Sequence, residues 1–364
     1  MLLGLPQFVT TSWNGTNVST SHSNRLLAVR LSSLGDLVHT LPVVPALRSA
    51  FPDAQLDWAV DWRWSPLIQL VRGIDEVIPL RPSFPGYLRC MGRVRQARYS
   101  CVIDFQGIYR SAILAWISGA ERRIGRDRNS ARERGAARFY TDRVAPAGQH
   151  VAEMSMSLAM HAGALRPAAM EFPIQAAAQD LRQVRARLGQ QGAENYVVVS
   201  PGGGWKSKCW PADRFGALCA EVWRRHAIRS VINLAPGEQQ LGETVVTHSI
   251  PAKPIVYCPA LPELVALLSQ ALLVVGGDTG PLHLAAALGT RVVALFGSTN
   301  ASRNGPLPRG VVIQNHSSDP PNYRRGDYVR GRSYSPEMLS ITLEQVLTAV
   351  EQEMSRTSFA HQQR

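Results

Sequence analysis

The sequence predicts an α/β protein of two domains, each a parallel sheet flanked by helices, facing each other across a linker. Three observations lead there. Short β-branched or apolar runs alternate with longer amphipathic stretches from Arg25 onward, the pattern of βα units laid on a parallel sheet. The pattern breaks once, over residues 165–178 (LRPAAMEFPIQAAA), a Pro- and Ala-rich stretch that reads as a linker, and then restarts. The length of 364 residues, set against roughly 150 for a common domain, also suggests two.

Taken in order, residues 1–24 are rich in Ser, Thr and Asn and lack the basic start and apolar core of a signal peptide, so they read as a disordered leader or a misassigned start. The first domain, 25–164, has strand candidates at 26–31, 55–60, 76–79, 100–105 and 122–125, helices between them, and a helix at Val151–Ala162 before the linker. The second, 179–340, has strands at 196–200, 230–234, 254–257, 272–276 and 291–296, with helices near 211–225, 261–269 and 279–288. Residues 303–334 read as a basic loop, and 341–364 as a closing helix, centred on 341–354, with a tail. No repeat of 20 to 50 residues is visible.

Hydrophobic residues at 45% and charged residues at 18% exclude collagen-like, coiled-coil and disordered chains. Apolar runs such as Ala271 to Val275 are far shorter than the roughly 20 residues of a membrane-spanning helix. Of the net charge of +12, a surplus of +9 lies between Arg81 and Arg143, where 14 arginines face five acids. Such clustering predicts an anionic partner, whether nucleic acid, anionic lipid or a phosphorylated substrate; a merely solvated arginine-rich face is the alternative. Only Lys206, Lys208 and Lys253 are lysines. The five cysteines have no metal-ligand spacing and read as buried free thiols of a reducing compartment.

In parallel α/β sheets ligands bind outside the carboxyl ends of the strands, so the loops that follow strands are where chemistry is sought. Three stand out. The first strand runs into Arg30-Leu31-Ser32-Ser33-Leu34-Gly35-Asp36, where Ser33 offers a donor, Gly35 permits a tight turn, and Asp36 sits at a helix start. Asp36 could cap that helix or serve as a general base toward an acceptor hydroxyl. The second domain opens with a strand ending in Gly202-Gly203-Gly204, then Lys206 and Lys208, before Pro211 begins a helix. Backbone N–H groups and lysines there suit a phosphate, yet the loop fits neither GxxxxGK[ST] nor GxGxxG. The third, Gly276-Gly277-Asp278-Thr279-Gly280, leads from a buried strand into a helix with His283 one turn in, an anion site built from N–H groups, the helix dipole and a hydroxyl. No DxD, HExxH or Cys/His cluster supplies a metal site, so lysines and helix termini must neutralise phosphate charge.

This constellation resembles the lipopolysaccharide heptosyltransferases, glycosyltransferases of the GT-B architecture with two Rossmann-like domains facing across a cleft. The resemblance covers roughly residues 26–310 and rests on SSLGDLVHTLP, DFQGIYRSA, RNSARE, KCWP, APGEQQ and DTGPLHLAAALG. The LGDLVHTLP opening, the following DWAVD and the SARE segment look like type I of the family rather than type II. The resemblance implies inverting, metal- and cofactor-independent transfer of heptose from ADP-heptose to the Kdo sugar of Kdo2-lipid A. It also implies a cytoplasmic enzyme, peripherally associated with the inner membrane and with no nucleic-acid partner.

Position by position, it makes Asp36 the catalytic base, Lys208 the lysine beside the leaving diphosphate, and Glu238 the acid that holds the ribose. It assigns Gly203, Gly204, Asp278, Thr279, Gly280 and His283 to the donor; Ser33 and Gly35 of the first loop and Arg110, Arg126 and Arg132 of the basic half are the acceptor candidates. Gly203 and Gly204 stand where enterobacterial relatives carry hydroxyl residues, leaving backbone N–H groups for the phosphates. Arg30 and Arg110 stand where lysines are usual, which keeps the charge. Two other readings remain open: a type II or III heptosyltransferase or related nucleotide-sugar transferase, and a non-enzymatic protein that binds an anionic polymer or membrane.

Overall fold

A computed structural model describes residues 24–315 and 333–361; the leader read in the sequence therefore lies, apart from Asn24, outside the described residues, as does most of the stretch 316–334. The first half contains strands β1 (Arg25–Val29), β2 (Gln55–Asp61), β3 (Glu76–Leu80), β4 (Cys101–Asp104), β5 (Arg122–Arg126) and β6 (Asp142–Val144). Its helices are α1 (Leu34–Thr40), α2 (Val43–Ala50), α3 (Ser65–Ile68), α4 (Phe84–Gln96), α5 (Tyr109–Ile117) and α6 (Val151–Ala162). The second half contains β7 (Tyr196–Ser200), β8 (Arg229–Asn233), β9 (Ile255–Tyr257), β10 (Leu273–Gly277), β11 (Val292–Phe296) and β12 (Val311–Gln314). Its helices α7 (Ala178–Gly189), α8 (Ala212–His226), α9 (Gln239–Thr247), α10 (Leu261–Gln270), α11 (Gly280–Ala287) and α12 (Ala301–Asn304) precede two more at Pro336–Ser340 and Leu343–His361.

Both sheets are wholly parallel and share one topology. The orders are β3-β2-β1-β4-β5-β6 and β12-β11-β10-β7-β8-β9, so in each half the strand order reverses between the first and fourth strands. These two reversals, β1 beside β4 and β7 beside β10, are the switch points at which such sheets open a ligand crevice. The strands follow from their residues: β7, β10 and β11 are Val- and Leu-rich and buried at every position, as a strand covered by helices on both faces must be. On the first sheet, Leu27, Val29 and Val102 face α4 and α5, while Leu26, Ala28 and Ile103 join the core with α1, α2 and α6. The C-terminal helix covers the second sheet through Val346, Leu347 and Val350.

The structure departs from the sequence reading at several ends. The first strand ends at Val29 rather than Leu31: on the β4 side Gln106 Oε1 accepts from the N–H groups of Leu31 (2.9 Å) and Ser32 (3.2 Å) in place of a ladder, although Arg30 and Leu31 still bond β2 through the Ala59 carbonyl and the Asp61 N–H. Strand β12 and helix α12 lie in or across the stretch read as a loop from 303; β12 is only four residues, too short to show periodicity. Strand β6 and helices α7 and α9 are additions to the sequence reading, and the closing helix runs Leu343–His361 instead of 341–354. Of the five free cysteines four are buried, but Cys258 is exposed.

Candidate active site

The crevice of the first half is built around a carboxylate. Beyond β1, Arg30 donates from Nη1 to the Phe105 carbonyl at the end of β4, and its Nη2 lies 2.7 Å from Asp36 Oδ1. The other carboxylate oxygen accepts from the Ser33 N–H (3.2 Å) and hydroxyl (3.1 Å). Asp36 thus closes the first turn of α1 and also presents a side chain one-third exposed (33%), so the capping and proton-accepting roles are compatible. Burial opposes its ionisation, but Arg30, the two Ser33 donors and Arg132 outweigh that and hold the carboxyl below its ordinary value. Arg126 joins this cluster: burial, with Arg30 and Arg303 nearby, pushes its guanidinium down to about 10.

The crevice of the second half is built around a helix start. Thr279 caps α11, and its Oγ1 is buried with no hydrogen-bond partner among the described residues. Asp278, just before it, receives Lys208 Nζ on Oδ2 (2.7 Å) and His283 Nε2 on Oδ1 (2.8 Å). Burial raises the Asp278 pKa, yet the His283 hydrogen bond and the Lys208 charge overwhelm it and leave the carboxyl well below the usual range. The anionic Asp278 therefore fixes the ammonium of Lys208 and the tautomer of His283, since a carboxylate requires Nε2 to carry the proton. A Cβ on Gly203 would come within 3.1 Å of Cys209 Sγ and 3.3 Å of the Thr279 methyl, whereas one on Gly204 would meet nothing. Gly203 is thus packed against the helix start and Gly204 borders open space.

Glu238 precedes α9 and accepts from the Ala235 N–H (2.7 Å). It faces Gly202, where any Cβ would collide with its carboxylate. Next to it a cavity of about 440 Å³ opens, lined by Leu234, Ala235, Gln239, Glu243, Val256 and Cys258 among others. The exposed thiol of Cys258 is explained by this position at the end of β9.

The two crevices meet directly. A Cβ on Gly35 would lie 3.0 Å from His283 Cδ2, and one on Gly280 would overlap the Leu34 side chain, so only glycines allow α1 and α11 this approach. The Asp36 helix start therefore stands beside the Asp278–Thr279–His283 helix start.

A sequence model of glycosyltransferase family 9 (heptosyltransferase) matches residues 87–330, well over half of the chain. The chain belongs to that family. It is 30% identical over 303 residues to lipopolysaccharide heptosyltransferase 1 of Pseudomonas aeruginosa, a match covering 79% of this chain and 82% of that one. Its fold matches that of a family 9 glycosyltransferase from Veillonella parvula with a TM-score of 0.80 at 21% identity, over 93% of this chain and 100% of that one. The Escherichia coli ADP-heptose lipopolysaccharide heptosyltransferase II superposes with a TM-score of 0.76 at 18% identity, over 92% and 99% of the two chains. The two six-stranded parallel domains are thus the GT-B arrangement, and the non-enzymatic reading is set aside: the protein is a glycosyltransferase.

Within this glycosyltransferase the structure gathers Ser33, Gly35, Asp36, Arg126 and Arg132 on one side, and Gly203, Lys208, Asp278, Thr279, Gly280 and His283 on the other. Arg110 is placed differently. Its guanidinium reaches Asp61 at the end of β2 (3.5 Å), which Arg63 also holds, rather than Asp36. Sequence reasoning missed three groups. Gln106 pins the β1 loop, and Arg303 sits in the stretch taken for a loop. His39 and His150 form with His283 a buried cluster, with ring centroids 4.4 Å apart and tilted (His39 to His283) and 5.0 Å apart and edge-on (His39 to His150). His150 Nδ1 accepts from the Ala152 N–H, so its Nε2 donates to the Gly305 carbonyl (3.0 Å) and ties α6 to the second half. His39 lies three residues after Asp36 on α1, which was the available signal. Among the described residues no group of three or more His, Cys, Asp or Glu could hold a metal ion, and no helix is long and apolar enough to cross a membrane.

Proposed function

We propose that this enzyme transfers heptose from ADP-heptose to Kdo of Kdo2-lipid A, with inversion at the anomeric carbon and without a divalent ion, in lipopolysaccharide inner-core synthesis. Residues 25–164 would bind the acceptor and 179–340 the donor, joined by 165–178, with the protein peripheral to the cytoplasmic face of the inner membrane. The observation that carries the reading is the direct apposition of an ionised Asp36 and the Lys208–Asp278–Thr279 anion site.

In the proposed step the acceptor hydroxyl oxygen bonds to the anomeric carbon while the bond from that carbon to the diphosphate oxygen breaks. Asp36 takes the hydroxyl proton. Because its pKa is depressed, it accepts that proton only as the new bond forms and the hydroxyl turns acidic, so transfer is concerted with attack. The electron pair leaves on ADP. Lys208, the Thr279 hydroxyl and the N–H groups of Gly203, Gly204 and the start of α11 face that growing charge, as preorganised donors do where charge develops. Glu238, beside the 440 Å³ cavity, would accept from the ribose hydroxyls. Arg126 and Arg132 would meet the acceptor carboxylate.

The test is mass analysis of product from purified enzyme, Kdo2-lipid A and ADP-heptose, with and without EDTA, beside parallel reactions with GDP- and UDP-sugars and with an already heptosylated acceptor. A product heavier by one heptose, formed only from ADP-heptose on the unheptosylated acceptor and unaffected by EDTA, is expected. Preference for the heptosylated acceptor would move the enzyme to type II or III, and activity lost to EDTA and restored by Mg²⁺ would reject the metal-free mechanism.

A further inference from the structure

The carboxyl edge of the first sheet carries a second feature, outside the crevice. Four large apolar side chains are exposed there: Trp62 after β2 (41%), Phe84 at the start of α4 (78%), Leu88 one turn further (51%) and Tyr109 at the start of α5 (41%). Flanking residues tie the elements that carry them together, while the Tyr109 ring itself packs against Phe139 and Arg138. The Arg81 guanidinium lies 5.5 Å from the Trp62 ring centroid, joining the β2 and β3 loops. The Tyr87 hydroxyl donates to the Arg110 carbonyl (3.4 Å), joining the starts of α4 and α5. The inner face of α4 is already filled, with Cys90 and Val94 buried against the sheet and Tyr87 and Met91 packed beside them. Phe84 and Leu88, four apart, therefore form an outward apolar strip that the core does not use.

The exposed charge beside the strip is mostly positive. Arg81 and Arg89 flank Phe84 and Leu88 and Arg63 follows Trp62, while the neighbouring Asp61 is buried and held by Arg63 and Arg110; Glu133, which accepts from the Tyr109 N–H, is an exposed acid at this corner. Apolar side chains flanked by arginines complement the interface of an anionic bilayer, where aromatic rings settle at headgroup depth and guanidiniums meet lipid phosphates. Neither signal suffices alone, because stable peripheral attachment generally takes two.

We propose that the Trp62–Phe84–Leu88–Tyr109 corner is the surface by which this protein docks on an anionic phospholipid bilayer. It lies on the same sheet edge as Asp36, so docking would bring the acceptor crevice to the membrane surface; that consequence rests on the lipid-linked acceptor proposed above, whereas the docking does not.

The test uses the full chain without substrate, sedimented with vesicles of phosphatidylethanolamine and phosphatidylglycerol or of phosphatidylcholine alone. Wild-type protein is expected to bind the anionic vesicles, more weakly at high salt, and to leave phosphatidylcholine largely unbound. Phe84→Ser with Leu88→Ser removes two inserted side chains and is expected to lower the partition constant about tenfold or more. Arg81→Gln with Arg89→Gln is expected to lower it on anionic vesicles only. Turnover on a deacylated, water-soluble acceptor reports folding and should stay unchanged in both variants. Wild-type protein that stays in the supernatant overturns the proposal and leaves the patch to a protein partner. Unaltered binding by the Phe84/Leu88 variant also overturns it. Vesicle binding by a protein inert toward every Kdo acceptor would reject the activity reading and leave the docking surface standing.

Discussion

The β1/β4 crevice and the β7/β10 crevice have the same strand order and the same kind of helix start, yet their chemistry is opposite. In the first, guanidiniums of Arg30, Arg126 and Arg132 surround one partly exposed carboxylate, Asp36. In the second, a buried carboxylate, Asp278, is used up in holding Lys208 and His283, and what lies beside it is positive charge and a buried hydroxyl with no partner among the described residues. A carboxylate that keeps solvent access can take a proton; one that is 7% exposed and doubly bonded can only position its partners. The fold supplies two equivalent crevices, and under the proposed function a few side chains decide which is the base side and which the leaving-group side.

The largest effect expected from that contrast is at Asp36. Asp36→Asn preserves an oxygen for the Ser33 donors but cannot take a proton, and kcat should fall by about 10² to 10⁴. Donor affinity, measured by ADP titration, should stay within a few-fold. A well-folded Asp36→Asn enzyme with near-normal kcat would show that Asp36 is only a cap.

Lys208→Ala comes next and should fail differently. Loss of a donor to the developing diphosphate charge should cost about 10² to 10³ in kcat. It also strands a buried anion, a change that typically costs about 3 kcal/mol of stability. Adding Asp278→Asn should restore much of the melting temperature without restoring turnover. If the double variant regains activity, Lys208 serves Asp278 and not the leaving group.

Among the arginines the structure sharpens a uniform expectation into a ranked one. Arg126→Gln and Arg132→Gln should raise the acceptor KM about tenfold, since a charged contact in a cleft contributes about 1.5 to 3 kcal/mol. Arg110→Gln should matter much less, because its guanidinium is spent on Asp61 at the far side of β1. Equal KM effects at all three positions, or effects equal on donor and acceptor, would return these residues to a generic basic face.

What was legible in the sequence was what is local. The buried strands β7, β10 and β11 announce themselves as unbroken apolar runs, and each crevice loop directly follows one strand, so its residues could be named without knowing the sheet order. What escaped is what long-range packing creates. His39, His150 and Arg303 acquire meaning only when α1, α6 and α12 are brought together, and the pairing of Arg110 with Asp61 needs the ends of β2 and β4 on one sheet edge. Strand β12 escaped for a different reason: four residues at a sheet edge, three half-buried and one exposed, carry too little pattern.

The smallest expected effect tests how firmly the two crevices are joined. His39 is buried between His283 and His150, with neither ring nitrogen hydrogen-bonded among the described residues. Burial, then His283, His150 and Arg30, hold its pKa well below 6.5, and Asp278 opposes them only in part. His150 is lowered too, first by burial and then by His283 and Arg303, against the Gly305 carbonyl and Glu153. The unfolded chain therefore binds protons at these positions as pH drops below about 6.5 while the folded chain does not, so stability is full above that pH and declines below it. Each such histidine contributes at most about 1.4 kcal/mol per pH unit. His39→Phe keeps a flat ring against His283 and removes one titration. Between pH 7.5 and 5.5 the urea midpoint of the wild type should thus fall further than that of the His39→Phe variant, and two parallel declines would place the acid sensitivity elsewhere.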